Sequence, residues 1–566
     1  MPENGSARFL KEGRLLPWVL GLLILAGAAG VGLIMARTSG EVTLPAGFTV
    51  ISGEDAGVTG ARKLEWEEVS LGELIAATVG PEGDFQASIA ILPLENRTEN
   101  ALFDTLGSGM VDELIARLSR VRGLKVISRQ SVEELDGLNL TLAQVADTLD
   151  VDHILVGTAV PYRQGAARLQ VRLLQVEGEL ELWRNDYSVD RRNRMRAVEE
   201  VFEEVGATLL EEFPALSLRS PVRITDSPGY VSYAAGNRLL NTRTREGLIR
   251  SLDAFRSAIS VDVAFAPAYA GLSSAYALAI TYRYDLGMDA YSAAGLALRA
   301  AGEAIRLDPN LAEGYAARGY ISSLGLAPAH LAHADFARAL ELQPNAPNVA
   351  AWYANLLIRE GFYDQALAEA QRAVDLDPLS PARRTGLAFE ALRARDYRLA
   401  VDQARAASSL EAEVALPRSI QALALLLSGR TEECLDMDVG PHIGIRAMCL
   451  HALGRVEQAT AIADSLRAAL LSGRMVSPGY SNVVAAGDLA AYLAWTGSPE
   501  RAMPWIHRAY ALSPSGIDPR ALESGVFDNL LTNSDMRREV AGIRDRVWPR
   551  VQRELAEADI VASFAP

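Results

Sequence analysis

The chain holds few of the residues on which most catalytic and metal chemistry is built. Cysteine occurs twice in 566 residues, at Cys434 and Cys449, which excludes a disulfide framework and a four-cysteine zinc site. Lysine occurs only at Lys11, Lys63 and Lys125. None of them follows a Gly-x-x-x-x-Gly run, so a phosphate-binding loop of that kind is excluded. His153, His442, His451 and His507 are isolated. His330 and His333 lie on one helix face with Asp335 nearby, but no third ligand accompanies them, so they are read as exposed or packing histidines. Leu106-Gly107-Ser108-Gly109 lacks the Gly-x-Ser-x-Gly spacing of a nucleophile turn, and a helical pattern runs through it. The carboxylates at Glu199–Glu204 and at Glu211 and Glu212 are read as solvated helix faces. The expectation is therefore a protein without catalytic residues, metal or cofactor, and not an enzyme.

Positive charge is scarce as well. The formal net charge is −16. The first 37 residues carry four basic against two acidic side chains, so the remainder stands near −18. No arginine-rich stripe interleaved with aromatics offsets it, and such a surface repels phosphate backbones. No nucleic-acid partner is expected.

A long apolar run is present once. Leu15 to Ala36 contains 22 residues without a charged side chain, enough to cross a bilayer as a helix. A cleaved signal peptide is the competing reading, but its apolar region runs to only about 7–15 residues. Trp18 stands near the start of the run, where an indole favours the headgroup level. Arg8, Lys11 and Arg14 precede it and only Arg37 follows. The positive-inside bias thus leaves residues 1–14 in the cytosol and places the bulk on the periplasmic or extracytoplasmic side of a cytoplasmic membrane. Ala26 with Gly30, and Ala28 with Gly32, give a small-xxx-small spacing through which two spans could associate. Residues 37–85, with five glycines and Pro45 before a polar amphipathic stretch, read as a tether.

From residue 86 to 215 short apolar runs alternate with helical patterns. Ile89–Pro93, Leu124–Ser128 and Asp152–Val160 read as strands, and Leu169, Val171 and Leu173 as one face of another. Leu180–Trp183 continues the sheet. Phe103 to Leu118, Leu142–Leu149 and Met195–Phe213 carry helical periodicity. Strands interleaved with helices and a late hairpin imply a small α/β module with a mixed sheet. Several of its runs, among them Ile89-Ala90-Ile91-Leu92-Pro93, Met110 to Arg120, Gly123 to Arg129 and Leu149 to Thr158, resemble the TolB-like amino-terminal domain. The short loop Glu95–Asn100 departs from that pattern. The resemblance implies a binding module, often placed before tetratricopeptide repeats, and brings no catalytic residue.

The longest part, residues 216–566, is periodic. Leu307, Leu342, Leu376 and Leu410 recur at 34–35 residues. Each is preceded at fixed offsets by two alanines: Ala297 and Ala304, Ala332 and Ala339, Ala366 and Ala373, Ala400 and Ala407. Pro309, Pro344 and Pro378 follow the first three leucines. Each period splits into two helical patterns, with small residues where antiparallel helices approach and a proline that ends the second helix. This resembles the tetratricopeptide repeat. Few of that family's first-helix aromatics are present, and Gln343-Pro344 replaces Asp-Pro. Further pairs are expected over Tyr230–Ser260, from Ala266 with an insertion at Tyr282–Asp289, and over Leu416–Met437, Ile443–Leu471 and Ala485–Leu512. A charged cap is expected from Ala521 to Val551. Cys434 and Cys449 fall in successive helices, where a bridge and two buried thiols both fit.

The fold class expected is thus an α/β module plus an all-α helical-repeat superhelix of tetratricopeptide type, behind one N-terminal transmembrane helix. The function expected is a membrane-anchored scaffold or adaptor that binds a protein or peptide. The alternative is a ligand-sensing or enzyme-associated regulatory subunit acting through the α/β module. In such a superhelix the first helix of each pair lines the inner groove. The register nominates Glu313, Tyr320 and Ser323, then Asn348, Asn355 and Ile358, then Thr385, Phe389 and Leu392 as partner-binding positions. With lysine absent from them, capture of a terminal carboxylate is not expected.

Overall fold

The structure is a computed structural model. It describes residues 85–545 apart from internal stretches, chiefly 217–226, 474–481 and 514–523, together with four two-residue strands between Leu25 and Val42. The apolar run expected to span a membrane, the tether and the last part of the C-terminal cap lie outside the described residues but for those strands. Among the described residues no helix is long and apolar enough to cross a membrane.

The α/β region starts with strands β1 (Ala87–Ile91) and β2 (Glu95–Asn96), helix α1 (Leu102–Leu118), β3 (Leu124–Val126), and helices α2 (Arg129–Glu133) and α3 (Leu142–Leu149). A meander closes it: β4 (His153–Arg163), β5 (Ala166–Gln175) and β6 (Leu180–Val189), then α4 (Arg194–Glu212). The sheet runs β6-β5-β4-β1-β3, with β2 paired to the far end of β4. β1 is parallel to β3 and β4, and the β4–β5–β6 meander is antiparallel. Alternation along β1 explains the two cores. Ala87, Ile89 and Ile91 face Met110, Leu114, Val198, Val201 and Val205 of α1 and α4. Ala90 faces the opposite side, with Ile127, Val132, Val145 and Leu149 around α2 and α3. Thr141 and Gln144 form a capping box that starts α3, and Asp150 ends it in the left-handed region. The strand at Leu180 extends further than its apolar run suggests, because β6 is an edge whose outer residues are polar and whose pairing partner fixes it.

Helix pairs fill the rest. They are α5 (Tyr230–Asn241) with α6 (Arg245–Val261), α7 (Ala266–Thr281) with α8 (Ala290–Leu307), and α9 (Ala312–Ile321) with α10 (Ala329–Leu342). Next come α11 (Pro347–Arg359) with α12 (Tyr363–Leu376), α13 (Pro381–Arg393) with α14 (Tyr397–Leu410), and α15 (Ala415–Leu427) with α16 (Thr431–Asp436). The array continues through α17 (Ile443–Ala452) with α18 (Val456–Ser472), α19 (Asn482–Trp495) with α20 (Pro499–Leu512), and the short α21 (Asp528–Leu531) and α22 (Ser534–Asp545). The chain is mostly helical, with the α/β region ahead of a tetratricopeptide-like array.

The periodic alanines explain the packing. Ala297, Ala332, Ala366 and Ala400 are wholly buried, as are Ala304, Ala339 and Ala407. A methyl group there sets the closest approach of two helices. Two glycines serve the same end more tightly around Phe255. A Cβ on Gly236 or Gly271 would stand 2.7 or 2.4 Å from its ring, so α5 and α7 clasp that ring between them. After α9 the chain passes through a π-turn at Ser322–Leu326. Gly361, at φ 87°, makes the turn from α11 to α12. Cys434 and Cys449 are disulfide-bonded, with Cα atoms 6.2 Å apart. The bond joins α16 to α17.

Candidate functional site

The α/β region docks on the turns that join one helix pair to the next. Asn345, in the turn between α10 and α11, is 2% exposed. Its Nδ2 donates to the carbonyls of Val121 at 3.1 Å and Leu124 at 2.6 Å, and its backbone N–H donates to Ser119. One repeat later Asp377 accepts from the hydroxyls of Ser128 and Ser131, the second at 2.6 Å. The N–H of Ser128 donates to the Leu376 carbonyl, and the Ser131 hydroxyl accepts from the N–H of Leu379. At the start of the array the Tyr230 phenol donates to Asp112. Asp112 is held in turn by Arg129, which also donates to the Ser108 carbonyl at 2.7 Å and pairs with Glu133 at 2.6 Å. Ser108 is thus a partner of Arg129 inside α1.

Between the two parts lies a cavity of about 680 Å³. Asp112, Arg129 and Glu133 bound it on the α/β side, and Tyr230, Tyr233 and Asn237 of α5 form one wall. Arg243, Tyr282, Thr385 and Glu411 bring in the turns and first helices farther along the array. Residues from both ends of that list meet because the superhelix coils back on itself. Tyr291 of α8 donates to the Tyr510 carbonyl of α20 at 2.9 Å, and Arg395 pairs with Asp528 through both nitrogens at 3.0 and 2.7 Å. Burial, then Asp112, pushes the Tyr230 phenol far above its usual range, and burial does the same to Tyr233. Both rings therefore present neutral hydroxyls. Burial raises the Glu411 carboxyl, and Glu134 and Glu413 nearby raise it further.

The nine positions nominated by the repeat register fall into two groups. Glu313 is exposed, and Asn348, Asn355 and Phe389 are half-buried. Tyr320, Ser323, Ile358, Thr385 and Leu392 are buried, and of the nine only Thr385 lines the cavity. Several act as rungs between neighbouring first helices. Tyr320 stacks on Trp352 with centroids 4.5 Å apart and shares a hydrogen bond with Thr281 at 2.8 Å. Asn348 accepts from Arg383, and Asn355 donates to Glu390 at 3.3 Å. Leu392 and Ile358 are spent on the core. His333 is wholly buried beside Tyr353, and Asp335 is paired with Arg318 at 2.7 Å, so these residues do not converge on one point. Among the described residues no group of three or more His, Cys, Asp or Glu is placed to hold a metal ion. Sequence reasoning missed Tyr230, Tyr233, Arg243 and Tyr282. The arginine and the last tyrosine stand in a turn and an insertion, outside the helical periodicity used to find the groove.

No family model matches the chain. A protein of Rhizobium meliloti (strain 1021) named "Putative adenylate cyclase 3" is 27% identical over 212 residues, 35% of this chain. The match spans 34% of that relative's length. Among solved structures, the lipoprotein GNA1162 from Neisseria meningitidis shares 20% identity over 22% of this chain and 99% of its own, with a TM-score of 0.18. YrrB, a tetratricopeptide-repeat protein with an unusual peptide-binding site, shares 18% over 37% of this chain and 94% of its own, with a TM-score of 0.21. Yeast Tom70 shares 15% over 61% of this chain and 77% of its own, with a TM-score of 0.33. The structural neighbours thus include tetratricopeptide-repeat proteins and a lipoprotein.

Proposed function

We propose that the chain is a non-catalytic scaffold that binds a protein or peptide partner in the groove of its repeat array. The observation that carries this reading is the shared inner face of the first helices, laddered together by Tyr320, Asn348 and Asn355 and open to solvent at Glu313. Stacked helix pairs make an extended concave surface suited to a chain-like ligand. The α/β region, of TolB-like type in this reading, is fastened to the inter-repeat turns, so both parts present one binding body. The run from Leu15 to Ala36 anchors that body to the cytoplasmic membrane with the bulk outside the cytosol, where the Cys434–Cys449 bridge is chemically at home. A second reading, ligand sensing through the α/β region, is favoured by the cavity that both parts enclose.

Position-specific photo-crosslinking in intact cells tests the scaffold. A photoreactive residue at Glu313, on the inner face, should capture a discrete partner band. The same residue at the exposed Arg250 of α6 should not. Equal yields from both positions would remove the groove from the account. For the anchor, a reporter fused after Pro566 should be active only outside the cytosol.

A further inference from the structure

The inner end of the cavity holds a charge that the fold leaves unmatched. Arg243 is 8% exposed and lines the cavity. Its Nη1 is buried without a hydrogen-bond partner. The turn between α5 and α6 fixes it there, with a backbone φ of 54° that L-residues rarely adopt and with the Tyr284 phenol donating to its carbonyl at 2.9 Å. A second guanidinium stands close by. Arg383 is 5% exposed, donates through Nη2 to Asn348, and has no hydrogen bond at Nε. Asp377 Oδ2 lies 3.7 Å from that Nε, beyond hydrogen-bond distance, while its Oδ1 accepts two hydroxyls. Burial, and then the charge of Arg243, lowers the Arg383 guanidinium to about 10. Two buried like charges are therefore within electrostatic reach of one another, and one counter-carboxylate serves only the second. Such an arrangement is costly unless an anion completes it.

We propose that this cavity binds a small anionic molecule whose carboxylate or phosphate group sits on Arg243, with Arg383 reinforcing the field. A guanidinium fork suits either group, since both present two oxygens in one plane. The volume of about 680 Å³ matches a metabolite-sized ligand and is too small for a folded partner. Tyr230, Tyr233 and Tyr282 offer aromatic rings to its uncharged part. Glu134 and Glu411 also line the cavity and disfavour a long polyanion, so a single anionic group is selected over a nucleic-acid backbone. This site goes beyond the scaffold reading and does not depend on it, because the cavity can fill whether or not the groove holds a partner.

Thermal unfolding of the full-length protein decides the matter, with inorganic phosphate and succinate compared against sodium chloride at equal ionic strength. At least one of the two should raise the midpoint by several degrees above chloride. A response to phosphate alone marks a phosphate ligand, and to succinate alone a carboxylate ligand. Arg243→Met should abolish the response while leaving the ligand-free midpoint unchanged or higher, since it removes an unmatched buried charge. Arg395→Gln, whose parent side chain pairs with Asp528 away from the cavity, should keep the response. No shift beyond chloride, an undiminished response in Arg243→Met, or a lower ligand-free midpoint or loss of folding in that variant would each overturn the proposal. The last two results would make Arg243 a structural residue. The crosslinking from Glu313 reads the scaffold separately.

Discussion

Three turns occupy the same place in successive repeats and meet different fates. Asp308-Pro309-Asn310, Gln343-Pro344-Asn345 and Asp377-Pro378-Leu379 each follow the last leucine of a second helix. In the first, Asp308 only closes its own turn, accepting from the N–H of Asn310 at 2.9 Å, and Asn310 is exposed. In the second, Asn345 is buried and its amide takes up two carbonyls of the α/β region. In the third, Asp377 is 2% exposed and receives the hydroxyls of Ser128, which caps α2, and of Ser131 within it. A proline-stopped turn holds polar groups ready at a fixed interval of about one repeat. Two adjacent turns can therefore grip a rigid body whose own loops match that interval, while the neighbouring turn stays wet. The lesson is that the α/β region docks on the inter-repeat turns of the superhelix and leaves the inner faces of the first helices out of that contact.

The comparison can be broken most severely at Asp377. Asp377→Ala strips two hydroxyls of their acceptor and leaves Arg383 without its carboxylate, so a loss of about 4 kcal/mol is expected in urea unfolding. Asp308→Ala, at the equivalent free turn, should cost less than about 0.5 kcal/mol. Next in size is the bridge in the later, unregistered half of the array. It closes a sequence separation of 15 residues, and the double variant Cys434→Ser, Cys449→Ser should lose about 3 kcal/mol, read by the same unfolding. Asn345→Ala should cost about 2 kcal/mol and speed proteolysis near residue 120, whereas Asn310→Ala should do neither.

The smallest effect separates a buried from an exposed histidine. Burial, then His330, lowers His333 to about 4. Below about pH 6.5 the unfolded chain binds a proton that the folded chain refuses until near pH 4. Stability should therefore fall as pH drops through that window, by an order of 1–2 kcal/mol at pH 5. His333→Gln should flatten the pH dependence of the melting midpoint there. His507→Gln, altering a histidine exposed beside Glu539, should leave it in place.

Where the sequence carried a period, the fold was legible. The alanine ladder gave the helix pairs with their ends within a few residues, and Leu142–Leu149 is matched end for end because Thr141 and Gln144 announce the cap. The bridge was legible only as one of two options, since periodicity places helices but not the facing of two cysteines. The cavity was not legible at all. Tyr230, Arg243, Tyr282 and Glu411 belong to four separate segments, and only the coiling of the array brings them together. Asn345 and Asp377 looked like turn formers, which they are. Their second use depends on the shape of another part of the chain. For the inner-face positions the register could nominate a face, but it could not tell a side chain spent on its neighbour from one left for a partner.

The hydrogen bond from Tyr291 to the Tyr510 carbonyl joins residues 219 positions apart. A helical-repeat array is ordinarily a spring, each coil free to lean on the next. Here one coil is latched to another several turns along, and the Arg395–Asp528 pair adds a second latch across 133 positions. Opening the array by stretching must undo both, so resistance to pulling is concentrated at these two contacts instead of being shared evenly along the coil.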